Sequence, residues 1–217
     1  MLKLVWKDVF IQKRTLIFGV LFFFYFMIAF QKIGAAGLTG GIVCLTYVLP
    51  FGISAIEDKN KVEIMLNSLP IKRSTVVLSK YLSVFIYTTV ILLACYFTYG
   101  LTKWLELPIK VVPFTIEGAL GGIIAMALLT SINFPLIFKY GYIKSRVANF
   151  ALFFLFFFGG NVLMGYVQDH HLFAKLMDVT GHMTMEQISI LLMIPTIIIL
   201  IISMTISIKI YQHREFY

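Results

Sequence analysis

The sequence predicts an all-α, polytopic membrane protein with six transmembrane helices, cytoplasmic N- and C-termini and an N-terminal amphipathic helix at the membrane interface. Three observations predict this class. Of the 217 residues, 60% are hydrophobic and 13% are charged, whereas soluble domains average about 45–50% and about 25%. Long windows contain no Asp, Glu, Lys or Arg, and basic residues concentrate in alternate connections between these windows. Residues 1–217 are therefore predicted to form a single transmembrane domain.

Six apolar segments account for the predicted spans, since a helix needs about 20 residues to cross a bilayer. Five contain charge-free windows of 21 to 24 residues, and the first is a Phe-rich window of 17 residues between Arg14 and Lys32. The long side chains of these two residues can extend to the two interfaces. Pro50, Pro135 and Pro195 lie inside spans, where neighbouring helices can satisfy the freed carbonyls. The predicted spans are approximately 15–31, 33–56, 77–102, 117–138, 147–168 and 187–208.

The distribution of basic residues orients these spans. With the N-terminus inside, 14 of the 18 Lys and Arg residues lie in inner segments, and the outer ones are Lys32, Lys103, Lys110 and Lys175. Excess Lys and Arg on the cytoplasmic side is the usual determinant of orientation. The net charge of +8 is therefore explained by the membrane topology. No nucleic-acid partner is predicted, because no basic stripe is interleaved with exposed aromatic residues.

The segment before the first span has the pattern of an amphipathic helix. Apolar residues recur at helical spacing opposite basic ones, with Leu2, Val5, Trp6, Val9 and Phe10 facing away from Lys3, Lys7 and Arg14. Such a helix lies in the interface and contacts membrane lipid. An ordinary basic flank of the first span is the alternative.

Glycine pairs in two spans predict close helix packing. Gly37 and Gly41 have GxxxG spacing in the second span, and Gly118 and Gly122 have it in the fourth. Small residues at this spacing let two helix backbones approach closely. The pattern leaves open whether they pack within one chain or between two chains.

The longest inner loop, residues 57–75, contains a short apolar face. Val62, Met65, Leu66 and Leu69 have the spacing i, i+3, i+4 and i+7 of one helix face, and Pro70 ends the pattern. This face can rest on lipid, or it can enter the groove of a partner protein. The loop is a candidate contact surface.

Catalytic and metal-binding chemistry is not predicted. The outer loop, residues 169–187, contains His170, His171 and His182, but their spacing matches no metal-binding motif. A membrane-embedded enzyme would have to use these histidines. Asn133 and Asn161 are the clearest polar residues within spans. Interhelical hydrogen bonding is the usual role of a membrane Asn, and a place on a translocation path is the alternative.

The middle of the predicted membrane region has no charged residue, and the chain has no phosphate-binding loop of the G-x-x-x-x-G-K-[ST] type. Ion-coupled transporters usually place ionisable residues in their spans. If this chain moves a substrate uphill, the energy must therefore come from another protein.

Two inner segments resemble the membrane subunits of ABC transporters of the type-two exporter class, in particular small bacterial six-span members. The first segment runs from Glu57-Asp58-Lys59 through Leu66-Asn-Ser-Leu-Pro-Ile-Lys-Arg73 to Val77-Leu-Ser-Lys-Tyr81. The second is Phe138-Lys-Tyr-Gly-Tyr-Ile-Lys-Ser-Arg146. Both segments are inner by the distribution of Lys and Arg.

The resemblance implies a multi-pass subunit of the bacterial plasma membrane that is not an enzyme. Separate cytoplasmic ATPase subunits would hold ATP and Mg, and this chain would bind no cofactor of its own. A second permease subunit, identical or related, would complete the path. The cargo would be a hydrophobic or amphipathic peptide, toxin or antibiotic. A regulatory or immunity subunit of an ATPase complex is the alternative.

The resemblance also assigns candidate site residues. The loop between spans two and three would contact the ATPase, with its apolar face in a groove and its charges on the rim. The ATPase-coupling residues would be Glu57, Asp58, Lys59, Lys61, Val62, Met65, Leu66, Leu69, Pro70 and Arg73. The second inner loop would contribute Lys139, Gly141, Lys144 and Arg146.

Overall fold

The computed structural model describes residues 2–11, 13–29, 32, 34–62, 65, 71–105, 112–169 and 185–214. The predictions for Leu66, Leu69, Pro70, and for most of the 169–187 loop with its three histidines, concern positions outside these residues. Within the described part the chain forms seven long helices. They are α1 Leu2–Ile11, α2 Lys13–Ala29, α3 Ala35–Lys59, α4 Arg73–Trp104, α5 Ile116–Tyr140, α6 Tyr142–Asp169 and α7 Met185–His213.

Five of these helices are long and apolar enough to cross a membrane. Their candidate spans are Ala36–Lys59, Arg73–Trp104, Ile116–Tyr140, Tyr142–Gly159 and Gln187–His213. The chain is therefore an all-helical, multi-pass membrane protein. Helix α2 has 17 residues and a shorter apolar stretch, Ile17–Phe26. A sixth crossing by α2, the cytoplasmic termini and the interfacial position of α1 stay predictions.

The helices extend beyond the predicted spans. Helix α3 continues to Lys59 and α4 begins at Arg73, although residues 57–75 were predicted to form one loop. The charge-free windows identify only the part of each helix that is apolar enough to lie in the hydrocarbon core of a membrane. Backbone hydrogen bonding within a helix continues through polar residues, because it joins main-chain groups and does not depend on the polarity of the side chains. Glu57 and Asp58 consequently lie on the last turn of α3 and have fixed positions.

The interior is built mainly by α3, α4, α5 and α7. One cluster of buried residues joins all four helices and includes Tyr47, Val77, Tyr81, Met126 and Tyr211. A second cluster lies between α3 and the middle and second half of α4, and it includes Leu38, Ile42, Tyr87 and Ile91. Large side chains such as Tyr87 and Met126 are almost completely buried. Side chains therefore fill the centre of the bundle.

Helices α3 and α5 approach closely at their small residues. Gly37, Gly41, Gly118 and Gly122 are all buried. The Thr39 hydroxyl donates a hydrogen bond to the Gly118 carbonyl at 3.0 Å. A Cβ atom added at Gly122 would lie 2.9 Å from Cγ2 of Ile42. The structure thus places the Gly118 and Gly122 face against α3 of the same chain.

Hydroxyl groups join α4, α5 and α7 in the interior. The Tyr81 hydroxyl lies 2.8 Å from Ser203 Oγ and 2.9 Å from Ser207 Oγ. Ser203 Oγ donates to the Ser131 carbonyl at 2.6 Å. Interhelical hydrogen bonds at depth are therefore made by Ser and Tyr.

The hydrogen bond of Asn133 lies within its own helix, whereas an interhelical one was predicted. Asn133 is fully buried, and its Nδ2 donates to the Leu129 carbonyl on its own helix at 2.8 Å. A carbonyl four residues back is within reach of a short polar side chain without any partner helix. Its buried position gives no support to a place on an open path. The side chain of Asn161 lies outside the described residues.

Candidate functional site

Among the residues that the structure describes, most of the charged ones lie at one end of the bundle, which we call the basic end. Helices α3, α5 and α7 end there, and α4 and α6 begin there. Residues from α1 also contact this end through Lys7 and Asp8. The predicted coupling loop and the second inner loop both belong to it.

Four charged side chains from three helices form a cluster at the basic end, which we call the ionic cluster. Glu57 of α3 accepts hydrogen bonds at 2.6 Å from Lys7 of α1 and lies 2.6 Å from Lys80 of α4. Lys80 also donates to Asp8 of α1 at 3.1 Å. Ser83, one turn after Lys80, donates to the same Asp8 oxygen at 3.2 Å. The cluster links α1, the end of α3 and the start of α4.

Burial makes the ionic cluster energetically important. Asp8 is 1% exposed and Glu57 is 7% exposed, while the Lys80 and Lys7 side chains are 13% and 29% exposed. Two acids and two lysines give a formal charge of zero. Burial lowers the pKa of Lys7, but the carboxylates of Glu57 and Asp8 raise it by more, so its pKa lies above the usual value. The opposite charges of the four side chains therefore compensate one another in a largely buried site.

The ionic cluster lies beside a small cavity of about 30 Å³ lined by Ser54, Glu57, Asp58, Lys80 and apolar side chains of α4 to α7. This volume holds about one water molecule. The Oδ1 atom of Asp8 has no hydrogen-bond partner among the described residues, although Lys7 Nζ lies 3.4 Å away.

Asp58, the neighbour of Glu57, binds the start of α6. Its Oδ2 accepts a hydrogen bond from the Ile143 backbone N–H at 2.8 Å. A carboxylate at a helix N-terminus satisfies an otherwise unpaired N–H and interacts favourably with the helix dipole. Asp58 therefore ties the end of α3 to α6.

Gly141 makes the turn between α5 and α6. Its φ is +79°, in the left-handed region that favours glycine. Its N–H donates to the Ile137 carbonyl at 2.8 Å, which ends α5. An added Cβ would lie 3.3 Å from Nη2 of Arg214 and 3.4 Å from Oδ2 of Asp58. The second inner loop therefore needs glycine for both its backbone and its contacts.

Gly141→Ala is expected to destabilise the chain by about 1–3 kcal/mol, the usual cost of holding a non-glycine residue in a sparsely populated backbone region. Thermal denaturation of the purified protein in detergent measures the change. Gly100→Ala is the matched control, because a Cβ there meets nothing within 4 Å. Equal melting temperatures for the two variants would contradict this account of the turn.

Two arginines connect the C-terminal end of α7 to the rest of the basic end. Arg73, at the start of α4, donates from Nη1 to the carbonyls of Gln212 at 2.8 Å and Arg214 at 3.0 Å. A basic side chain near the last carbonyls of a helix satisfies them and complements the dipole. Arg214 in turn donates to the Phe138 carbonyl of α5 at 3.1 Å.

The structure distributes the predicted coupling residues between two environments. Glu57 is in the ionic cluster, in contrast to the exposed rim position that was predicted, because α3 continues and turns this side chain toward Lys80. Val62 packs partly buried against the chain's own core. Met65 is 58% exposed, and Lys59 and Lys61 are exposed.

The basic residues of the second inner loop lie at the surface. Lys139, Lys144 and Arg146 are exposed, and Lys139 Nζ lies 5.0 Å from the Tyr140 ring centroid. The exposed cations and Met65 give the basic end a surface suited to an acidic or mixed-charge partner.

Sequence reasoning missed Lys7, Asp8 and Lys80 as site residues. The sequence pattern places Lys7 on the polar face of α1, and Lys80 enters only as part of the segment from Val77 to Tyr81. A signal was present in Asp8, an acid within an otherwise basic and apolar helix, one turn after the buried Val5. Such an acid is a candidate for pairing with a lysine at a helix contact.

The arrangement at the basic end joins helices through hydrogen bonds and ion pairs. Among the residues that the structure describes, no group of three or more His, Cys, Asp or Glu is placed to hold a metal ion. The histidines required by the enzyme alternative lie outside the described residues.

Comparison with known proteins adds the family. The family model described as ABC-2 family transporter protein matches residues 3–212, which is nearly the whole chain. No curated protein and no solved structure was found to match. The match includes α1, the ionic cluster and both inner loops. The chain belongs to the ABC-2 family of transporter proteins and is a membrane permease subunit of an ABC transporter.

Proposed function

We propose that this chain is the permease subunit of an exporter whose cytoplasmic ATPase acts on the basic end through residues 57–75. ATP and Mg are held by the ATPase, and this chain contributes the membrane path. Family membership supports the permease role and the association with an ATPase. The exporter direction and the coupling role of the 57–75 segment are our proposals.

The observation that carries the coupling role is the set of bonds at the two ends of the 57–75 segment. At its start, Glu57 binds α1 and α4 and Asp58 binds α6. At its end, Arg73 binds the carbonyls of α7. A force applied to this segment is therefore delivered to four other helices at once. A loose loop would absorb the same force by bending.

A second permease subunit, identical or related, completes the path in this proposal. The interior of the chain is filled by large buried side chains such as Tyr87, Met126 and Leu129. A route for cargo therefore fits better between two chains than through one. The cargo class that we propose is a hydrophobic or amphipathic peptide, toxin or antibiotic, in the bacterial plasma membrane.

Met65→Asp is expected to reduce association with the ATPase, because it places an acid in the exposed apolar part of the segment. The ABC ATPase that copurifies with the wild-type chain supplies the assay. The amount of ATPase that copurifies with the chain would be measured first. Vanadate-sensitive ATP hydrolysis would then be measured after reconstitution. We expect both to fall at least tenfold.

Leu105→Asp is the matched control. Leu105 is 52% exposed, similar to Met65, but it follows the opposite end of α4. It is expected to retain wild-type ATPase association. The proposal is wrong if both variants behave alike, or if the purified chain transports cargo against a gradient without any ATPase. A hydrolysis rate that does not respond to any cargo would favour the regulatory alternative.

A further inference from the structure

An open groove runs along the surface between α3 and α6, starting near the basic end. Its volume is about 380 Å³. Five aromatic side chains line it, together with one cation, and these are Tyr47, Phe51, Tyr142, Phe150, Phe153 and Arg146. In the described part of the chain, the groove is thus a mainly aromatic surface with one positive charge.

The groove has a fixed shape. The ring centroids of Tyr47 and Phe153 are 4.6 Å apart across the two helices. The Tyr47 hydroxyl donates to the Asn149 carbonyl at 2.7 Å, which holds α3 and α6 in register. Because Tyr47 and Phe51 also belong to the main buried cluster, the floor of the groove is part of the core.

The charge lies at one end of the groove. Arg146 is one turn after Tyr142, the first residue of α6, and it is exposed. Among the residues that the structure describes, no Asp or Glu lines the groove. Phe153 lies about two turns farther along α6, toward the middle of the candidate span. The groove therefore presents a cation near the membrane surface and an aromatic channel at hydrocarbon depth.

We propose that this groove binds one anionic phospholipid of the adjacent leaflet. Its phosphate pairs with Arg146, and an acyl chain lies along the aromatic wall. The guanidinium group makes bidentate, charge-assisted hydrogen bonds to phosphate, and basic pockets between membrane helices are known to hold anionic head groups. This site goes beyond the proposed transport function and requires only that α3 and α6 span the membrane.

Phosphatidylglycerol is the probe, with phosphatidylcholine as the neutral-head-group comparison. The purified chain in detergent is titrated with each lipid, and bound lipid is counted by native mass spectrometry. We expect the wild-type chain to retain one phosphatidylglycerol in preference to phosphatidylcholine. Arg146→Gln should weaken phosphatidylglycerol binding at least tenfold, as expected for loss of a hydrogen bond to a charged group.

Lys144→Gln is the matched control, since Lys144 is an exposed cation of the same first turns of α6 and does not line the groove. It should change binding less than twofold. Val48→Trp tests the acyl-chain channel, because Val48 lines the groove and indole would fill it. This variant should lose binding with Arg146 intact.

Four results would overturn the proposal. They are equal retention of the two lipids, equal loss in Arg146→Gln and Lys144→Gln, undiminished binding in Val48→Trp, and a groove occupied by a second copy of the chain. Cross-linking from a cysteine introduced at Val48 would reveal the last.

Discussion

Glu57→Gln is expected to destabilise the chain by about 3 kcal/mol. The substitution keeps the shape of the side chain and removes one of the two negative charges of the ionic cluster. Lys7 and Lys80 would then share Asp8 alone. Breaking a buried ion pair by removing one partner typically costs about 3–5 kcal/mol. The lower value applies here because the Lys7 side chain is 29% exposed and can be partly hydrated.

Thermal denaturation of the chain in nanodiscs measures this effect. At about 2–4 °C per kcal/mol for a chain of this size, the melting temperature should fall by roughly 6–12 °C. Glu117→Gln is the matched control, because Glu117 is exposed and lies on the first turn of α5, far from the cluster in the chain. A similar loss in both variants would contradict the stabilising role of the cluster.

Exchanging the charges of Glu57 and Lys80 distinguishes the effect of their pairing from the effect of burying a charge at either position. The double variant Glu57→Lys with Lys80→Glu keeps the cluster neutral and keeps opposite charges at positions 57 and 80. It does not restore the wild-type stability, because it also places a lysine beside Lys7 and an acid beside Asp8. The double variant should lose less stability than the sum of the losses in the two single variants, as expected for coupled residues in a double-mutant cycle. Additive losses would show that Glu57 and Lys80 act independently.

Gly122→Val is expected to separate α3 from α5. A Cβ at this position would lie 2.9 Å from Cγ2 and 3.1 Å from Cβ of Ile42. Ile42 is completely buried and β-branched, so it has little freedom to rotate away. Overpacking of this kind costs about 1–3 kcal/mol. Valine is chosen because alanine would gain about 1 kcal/mol of helix propensity over glycine and would hide part of the cost.

Gly100→Val is the control for the Gly122 variant, because Gly100 also lies within a helix and a Cβ there meets nothing within 4 Å. The two melting temperatures should differ by several degrees. Ile42→Ala combined with Gly122→Val should restore part of the loss, since it removes Cγ2 and Cδ1 of Ile42, two of the three atoms that an added Cβ would meet. Failure of this rescue would show that the clash with Ile42 does not cause the loss.

The contacts of the ionic cluster could not be predicted from the sequence. The inner position of residues 57–75 and their charged character followed from the spans. The direction of the Glu57 side chain did not, because it depends on α3 continuing to Lys59 and on Lys80 and Lys7 arriving from two other helices. Those residues are separated from Glu57 by 23 and 50 positions, and no local pattern encodes such a contact.

The packing at the glycine pairs was predicted in part from the sequence. Their spacing predicted close helix approach, and the structure has Gly118 and Gly122 against α3. Spacing alone left open a contact between two chains. The choice depends on which side of α5 faces α3, and the packing of the whole bundle sets that rotation.

The sequence by itself determined the membrane class of this protein, the approximate position of five spans and its resemblance to ABC permeases. Those properties follow from the cost of placing charged groups in hydrocarbon, which acts on each segment separately. Only the tertiary structure decided which charges neutralise one another, that Glu57 faces inward while Met65 faces outward, and that Arg146 lies at the end of an aromatic groove. These features depend on distances between helices, and such distances arise only when the helices pack together.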